Sequence, residues 1–328
     1  CAAIRGDHSA LSSTVSGYVK GAAILQDGRV ALIGNNEFLD EEGLVILVEN
    51  DGTASARSYV PLNPQFDVML AVRATSDGGF IVCGSSRPSS GGVTGGLYLK
   101  FDASFNLEWS RNYRDGFTVV YDIQQLDDGG FIACGVHPSG SQIAGLIHRL
   151  DAAGNLVWSK NYNTPASGAG FMGLAAIPGG DFLLAGQTQG YYAPQDYLCI
   201  DSELWMTRIT ASGDVVWSNL YTIPEPLCLH NISATAQGSL LLCGVSAFVN
   251  PKPFFLHIGP NEQVFFSKRP DVPGRFTSIA PLNDGGYALT LKTDQEILQL
   301  HRVDALGNNG TCSATDLLLT ITPVVVMV

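Results

Sequence analysis

Residues 150–162 read LDAAGNLVWSKNY, and related copies stand in the neighbouring stretches. LYLKFDASFNLEWSRNY (97–113) agrees with LIHRLDAAGNLVWSKNY (146–162) at nine of seventeen positions, and ITASGDVVWSNLY (209–221) keeps the turn and the tryptophan. A second phrase runs in step with the first. QDGRVALIG, SDGGFIVCG, DDGGFIACG, PGGDFLLAG and AQGSLLLCG end at Gly34, Gly84, Gly135, Gly186 and Gly244, followed by a degenerate NDGGYALTL. The five glycines stand 50, 51, 51 and 58 residues apart. A fixed period of this size is the signature of stacked structural repeats.

Each repeat reads as four short strands. In the third, TVVYDIQQL is followed by the turn DDGG and then FIACGV; a loop leads to LIHRLD, the turn AAGN and LVWSKNY. Asp-Gly, Gly-Gly and Gly-Asn turns between runs rich in Val, Ile, Phe and Tyr mark hairpins. No segment carries a sustained 3.6-residue apolar period with caps, so helix is not expected. Four antiparallel strands repeated every 40 to 50 residues make a β-propeller blade. The expected fold is all-β: a single propeller of six four-stranded blades over residues 17–315, with a tether at 1–16 and a strand or tail at 316–328. A four-stranded sheet of fifty residues cannot bury both faces alone, and stacking against neighbours solves that. After Gly307 the sequence leaves the repeat, so blade six lacks a normal fourth strand; LLLTIT (317–322) is one candidate to fill the place and residues 1–16 are another.

The phrase Asp-x-x-Gly-x-x-x-Trp, here Asp151, Gly154 and Trp158, resembles the tryptophan-docking motif of quinoprotein-type propellers. In the preceding repeat it is Asp102, Phe105 and Trp109, and in the next Gly213 and Trp217; Ala56, Phe266 and Thr311 hold the Trp position elsewhere. The resemblance implies that Trp109, Trp158, Trp217 and Phe266 fasten one blade to the next. That family includes cofactor-binding dehydrogenases and a lipid-anchored outer-membrane scaffold subunit, so the repeat does not choose between enzyme and scaffold. The phrase style also resembles long propeller repeats in envelope proteins of the Bacteroidetes group. Cys1, followed by small residues and a flexible polar stretch, resembles the start of a processed bacterial lipoprotein, in which the cysteine carries the lipid.

Composition narrows the function classes. Thirty acids against eighteen bases give a net charge of −12, which argues against binding a nucleic-acid backbone. No run of eighteen apolar residues spans a membrane as a helix.

In a four-stranded blade the DGG-type and AAGN-type turns share one end, where they are short and uniform. The loops at the other end vary, as in SSRPSSGGVTGG (85–96), VHPSGSQIAG (136–145) and QTQGYYAPQDYLCIDSE (187–203). Variable loops on a rigid scaffold usually carry binding. Tyr191, Tyr192, Asp196 and Tyr197, in the longest of them, form the candidate binding loop. They suit a protein partner, a sugar ring or a cation, or else pack locally on their own blade.

Cys83, Cys134 and Cys243 share one position before the blade glycine, too far apart for a disulfide, and read as small buried apolar residues. Cys199 and Cys228 fall on the same face of adjoining blades, where a disulfide fits. The six histidines show no metal-ligand spacing. Lys100, Arg149, Arg208 and Arg302 form a repeated basic column, expected to pair with acids of a neighbouring blade rather than to ring one surface. No GxSxG elbow, CxxC pair, P-loop or GxGxxG fingerprint occurs. No catalytic residue, metal or cofactor is therefore assigned.

The expectation from sequence is a non-enzymatic lipoprotein of a bacterial outer membrane, anchored through Cys1. It would serve as an accessory or scaffold subunit contacting other envelope proteins, with its leaflet undetermined. A surface glycan-binding lipoprotein is the second reading, and a propeller hydrolase or quinoprotein enzyme the third.

Overall fold

The computed structural model describes residues 17–36, 43–59, 65–88, 92–114, 116–139, 142–165, 168–188, 202–223, 225–246, 251–293, 295, 297–308, 314–316 and 319–328. Among them there is no helix, and six antiparallel sheets follow one another along the chain as a six-bladed β-propeller.

Blade one comprises β1 (Gly17–Ile24), β2 (Val30–Asn36), β3 (Gly43–Val48) and β4 (Ala54–Tyr59). Blade two comprises β5 (Gln65–Ala74), β6 (Phe80–Pro88), β7 (Gly95–Phe101) and β8 (Leu107–Tyr113). Blade three comprises β9 (Val119–Gln125), β10 (Phe131–Ser139), β11 (Gln142–Leu150) and β12 (Leu156–Tyr162). Blade four has β13 (Ala169–Ala176), β14 (Phe182–Thr188), β15 (Leu204–Ile209) and β16 (Val215–Thr222). Blade five has β17 (Leu227–Ala234), β18 (Leu240–Ser246), β19 (Lys252–Ile258) and β20 (Val264–Pro270). Blade six has β21 (Arg275–Pro281), β22 (Tyr287–Lys292) and β23 (Leu298–Val303). Two short strands follow, β24 (Ala314–Asp316) and β25 (Thr320–Pro323).

The chain divides into two compact units, one built mainly on blades one to three and the other on blades four to six. In the first, one apolar cluster joins blades one and two through Ile33, Leu47, Met69, Val82 and Phe101. A second joins blades two and three through Ile81, Cys83, Tyr98, Ile123 and Phe131. In the other unit, Leu183, Met206, Leu229, Leu242 and Phe254 join blades four and five. Phe255, Phe276, Tyr287 and Leu289 join blades five and six. The core thus lies between sheets.

The repeated blade glycine has a steric cause that its sequence position does not reveal. The first strand of every blade carries a one-residue bulge at the same height, at Lys20, Leu70, Tyr121, Met172, His230 and Thr277. At each bulge the main chain kinks toward the second strand. A β-carbon on Gly84 would lie 1.9 Å from the Val68 carbonyl oxygen, and at Gly135 2.0 Å from that of Val119. In these blades only a residue without a side chain admits that carbonyl; blade six carries Leu291 at the equivalent position.

The basic column corrects the expected pairing. Lys100 reaches Asp77 of its own blade's first turn at 2.6 Å and Glu108 at 2.8 Å. Arg149 pairs with Asp128, Arg208 with Asp181 at 2.8 Å, and Arg302 with Asp284, again within one blade. The Asp of the turn serves two purposes: Asp77 Oδ1 accepts from the Thr75 hydroxyl and the Gly79 amide, while Oδ2 meets Lys100. The acid comes from the blade's own first hairpin turn in each case, and Arg208 donates besides to Asn261 Oδ1 of blade five at 2.7 Å.

The C-terminal segment also departs from the expectation for LLLTIT. Thr320–Pro323 does not complete blade six; it adds a fifth strand to β16 of blade four. Ala314–Asp316 adds a fifth strand to β20 of blade five. An outer strand presents a row of unpaired main-chain groups, and these edges accept an extended segment with little regard to side chains.

Candidate functional site

Most sequence-derived site residues can be placed. Trp109, half-buried on β8, lies against the blade-three turn, where a β-carbon on Gly154 would stand 2.7 Å from the ring. Arg111 donates to the Ala153 carbonyl and Tyr113 to that of Gly154, at 2.7 and 2.6 Å. Trp217 Nε1 donates to the Pro260 carbonyl of blade five at 3.0 Å. Phe266, buried, lies 3.0 Å from where a β-carbon on Gly307 of blade six would be. Trp158 is half-buried, with the Lys160 ammonium 5.9 Å from its ring centre.

Cys228 is disulfide-bonded; Cys199, its expected partner, lies outside the described residues, as do Cys1, Tyr191, Tyr192, Asp196 and Tyr197. Cys83, Cys134 and Cys243 are free, fully buried thiols whose pKa values burial pushes up. His148 accepts or donates at Nδ1 to the Tyr98 hydroxyl at 2.8 Å inside the blade two–three core. Among the described residues no group of three or more His, Cys, Asp or Glu is arranged to hold a metal.

Blades one and five depart from the charge pattern, blade one with Leu47 in the column. In the column occupied by Lys100, Arg149, Arg208 and Arg302, blade five carries His257, opposite Leu241 as Arg208 stands opposite Leu183. Where blade four has Asp181 just before its second strand, blade five has Ser239. The ion pair of blade four is thereby replaced by a neutral contact: Ser239 Oγ lies 2.7 Å from His257 Nε2. On the other side of the imidazole, Nδ1 lies 3.1 Å from the hydroxyl of Tyr287, which comes from the start of β22 in blade six. Thr235 Oγ1 lies 2.7 Å from Ser239 Oγ.

Two proton arrangements satisfy this chain. With the imidazole proton on Nδ1, His257 donates to the Tyr287 oxygen and Nε2 accepts from Ser239, whose oxygen accepts in turn from Thr235; with the proton on Nε2 every donor and acceptor role is reversed. Burial holds the His257 pKa down at about 4, so the ring is neutral near pH 7. The rings of Phe265, Phe266 and Tyr287 surround it at 4.5, 5.5 and 5.6 Å. Ser239 is 4% exposed, His257 is half-buried, and Phe265 is 54% exposed beside them. A hydroxyl, a neutral base and a third group orienting that base form the arrangement of an activated nucleophile.

A second polar group is less suited to chemistry. Asp67, on β5 opposite Ser86, is fully buried. Burial raises its pKa, against the Ser86 hydroxyl and the Arg114 charge. Enclosed in this way, its carboxyl is not placed to meet a substrate.

Sequence reasoning missed Ser239 and His257 because they form no linear motif. The signal was the repeat itself: aligned by blade, His257 stands where blades two, three, four and six carry a cation, and Ser239 stands where blade four carries Asp181.

Comparison with known proteins bears on the fold. No family model matches the chain, and no curated protein matches it. Among solved structures, a puromycin hydrolase matches over 92% of this chain at 14% identity with a TM-score of 0.55. The chain spans about half of that hydrolase, 47% of its length. An apocarotenoid oxygenase from Synechocystis matches over 93% of this chain and 74% of its own, at 12% identity and a TM-score of 0.51. A luciferin-regenerating enzyme covers 90% of this chain and 92% of its own, at 13% identity and a TM-score of 0.49. At these identities the likeness shows the fold alone. The expectation of a non-enzymatic envelope scaffold is corrected to this extent: the two solved propellers above with TM-scores over 0.5 are a hydrolase and an oxygenase, not scaffolds.

Proposed function

We propose that this propeller is an enzyme of the hydrolase class, acting on an ester or amide through Ser239, His257 and Tyr287. The observation that carries the reading is the 2.7 Å contact between Ser239 Oγ and His257 Nε2, with the far nitrogen held by Tyr287. A hydrolase among the proteins of like fold supports it. In the proposed reaction Ser239 Oγ attacks the substrate carbonyl carbon as its proton passes to His257 Nε2. The imidazolium then protonates the leaving alcohol or amine, and an acyl-Ser239 ester remains. Water, deprotonated by the same nitrogen, attacks that ester, releases the acid and restores the hydroxyl. Tyr287 is a positioning residue: it holds the imidazole, and the reaction uses the tautomer with the proton on Nδ1, in which Nε2 accepts.

The test uses a panel of p-nitrophenyl esters and a fluorophosphonate probe. Hydrolysis and covalent labelling at Ser239 are expected, with both reduced at least a hundredfold in Ser239→Ala. The double variant Ser239→Asp/His257→Arg rebuilds the ion pair of blade four and should fold normally without activity. A wild-type protein that neither hydrolyses the panel nor takes the probe, or a Ser239→Ala variant that still hydrolyses, overturns the reading.

A further inference from the structure

Residues 314–328 are held to the second unit in an unusual way. β24 pairs with β20 through Lys268↔Asp316, Arg269↔Thr315 and Pro270↔Ala314. β25 pairs with β16 through Asn219↔Pro323, Leu220↔Thr322, Tyr221↔Ile321 and Thr222↔Thr320. The Val324 amide then donates to the Ser218 carbonyl at 2.9 Å, and Asn163 and Met327 exchange two main-chain bonds at 2.9 and 3.1 Å. Side chains add little. All four residues of β25 are exposed, and Val325, Met327 and Val328 are 79%, 65% and 60% exposed. Leu319 packs against the core between blades four and five, and Lys268 meets the exposed Asp316 at 2.7 Å.

We propose that the outer edges of β16 and β20 are a strand-binding surface, and that its resident, residues 314–328, exchanges with the same segment of a second copy of this chain. Two ladders of four and three pairs, the side chains of β25 turned to water, open at a small fraction of the cost of unfolding a blade. The edge recognises an extended backbone, the mode by which sheets accept an added strand. Among extended segments the one from a second copy is favoured, because it restores every hydrogen bond, the Lys268–Asp316 pair and the Leu319 contact without a new interface. Exchange of an identical element is therefore a low-cost route to a dimer. The tethered segment competes at an effective concentration on the order of millimolar, so the monomer prevails in dilute solution.

Three measurements on the folded protein test this. Hydrogen exchange of the full chain should show the Asn163, Val324 and Met327 amides exchanging together, at least tenfold faster than the Leu229 amide of β17. A fluorescent peptide of residues 314–328 should bind a chain ending at Asn308 with one-to-one stoichiometry, and the intact chain more weakly. Incubation near millimolar concentration should yield a dimer that the shortened chain does not form. If the shortened chain fails to fold, exchange and peptide binding on the intact chain decide the matter. Amides that exchange only with global unfolding, a peptide that binds neither form, or an equal dimer from the shortened chain would each overturn the proposal.

Discussion

Trp109 lies so close over Gly154 that no other residue fits beneath it: a β-carbon would sit 2.7 Å from the indole, and the backbone there has φ of +78°. Two independent demands, room and a left-handed conformation, fall on one glycine. Gly154→Ala is expected to destabilise by about 2–3 kcal/mol, combining backbone strain with displacement of the ring. Trp109→Ala should cost about the same, less than a fully buried tryptophan would, because the ring is half-exposed. Denaturant titration of the purified variants measures both. A loss under about 0.5 kcal/mol in Trp109→Ala means that the ring carries no contact of consequence.

The blade glycines set a harder limit. At Gly84 the obstacle is main chain, the Val68 carbonyl 1.9 Å away, so relief requires moving two strands. Gly84→Ala is expected to cost about 3 kcal/mol or more, or to prevent folding. Leu291, buried in the core, stands at the equivalent position in blade six, so its replacement by glycine is expected to cost about 2–5 kcal/mol through the cavity it leaves. Thermal melts of Gly84→Ala against the wild type check the assignment.

Lys100 is nearly buried, but its partners Asp77 and Glu108 are about half exposed. Lys100→Met therefore frees carboxylates that water can reach, and the expected loss is about 1–2 kcal/mol rather than the larger penalty of a stranded buried charge. Raising salt to 1 M should change the wild type and the variant alike, since the wild-type pair is shielded from screening on the lysine side.

His257 links stability to pH. Its folded pKa of about 4 lies below the ordinary 6.5, so the unfolded chain binds the proton more readily. Its contribution is complete above pH 6.5 and is lost progressively as pH falls toward 4. His230 and His301 are also depressed, chiefly by burial, and act in the same direction. The wild-type minus His257→Gln difference in unfolding free energy should accordingly shrink between pH 6.5 and 4. A difference that grows over that window contradicts the assignment.

Cys83 lies within the blade two–three core and Cys243 within that of blades five and six; Cys134 is buried on β10. Burial keeps their thiols protonated, so none should react with a thiol reagent in the native state. All three should react together once denaturant is added, as followed by mass spectrometry.

The sequence made the repeat, the hairpin turns and the apolar strands legible because each is a local pattern copied in register. The bulges were not legible, since the extra residue is Lys20, Leu70, Tyr121, Met172, His230 or Thr277, with no chemistry in common. Only the glycine opposite them recurs, and its reason lies in a carbonyl on another strand. The path of Thr320–Pro323 was hidden for a related cause: main-chain pairing leaves no side-chain signature. Ser239 and His257 were legible in principle, as departures from positions where blade four carries the Asp181–Arg208 ion pair. The residue rule that marks such a site is substitution against the repeat, not resemblance to a motif.

Because the apolar clusters lie between sheets, no blade owns a core. Within each unit, stability is a sum over shared boundaries, as in a linear array with nearest-neighbour coupling. Damage to one boundary is felt by two blades and then stops, so the outer loops of a blade are free to vary while its flat sides are not. Such a chain lengthens by copying: a duplicated stretch of about fifty residues arrives already carrying both of the surfaces it must match.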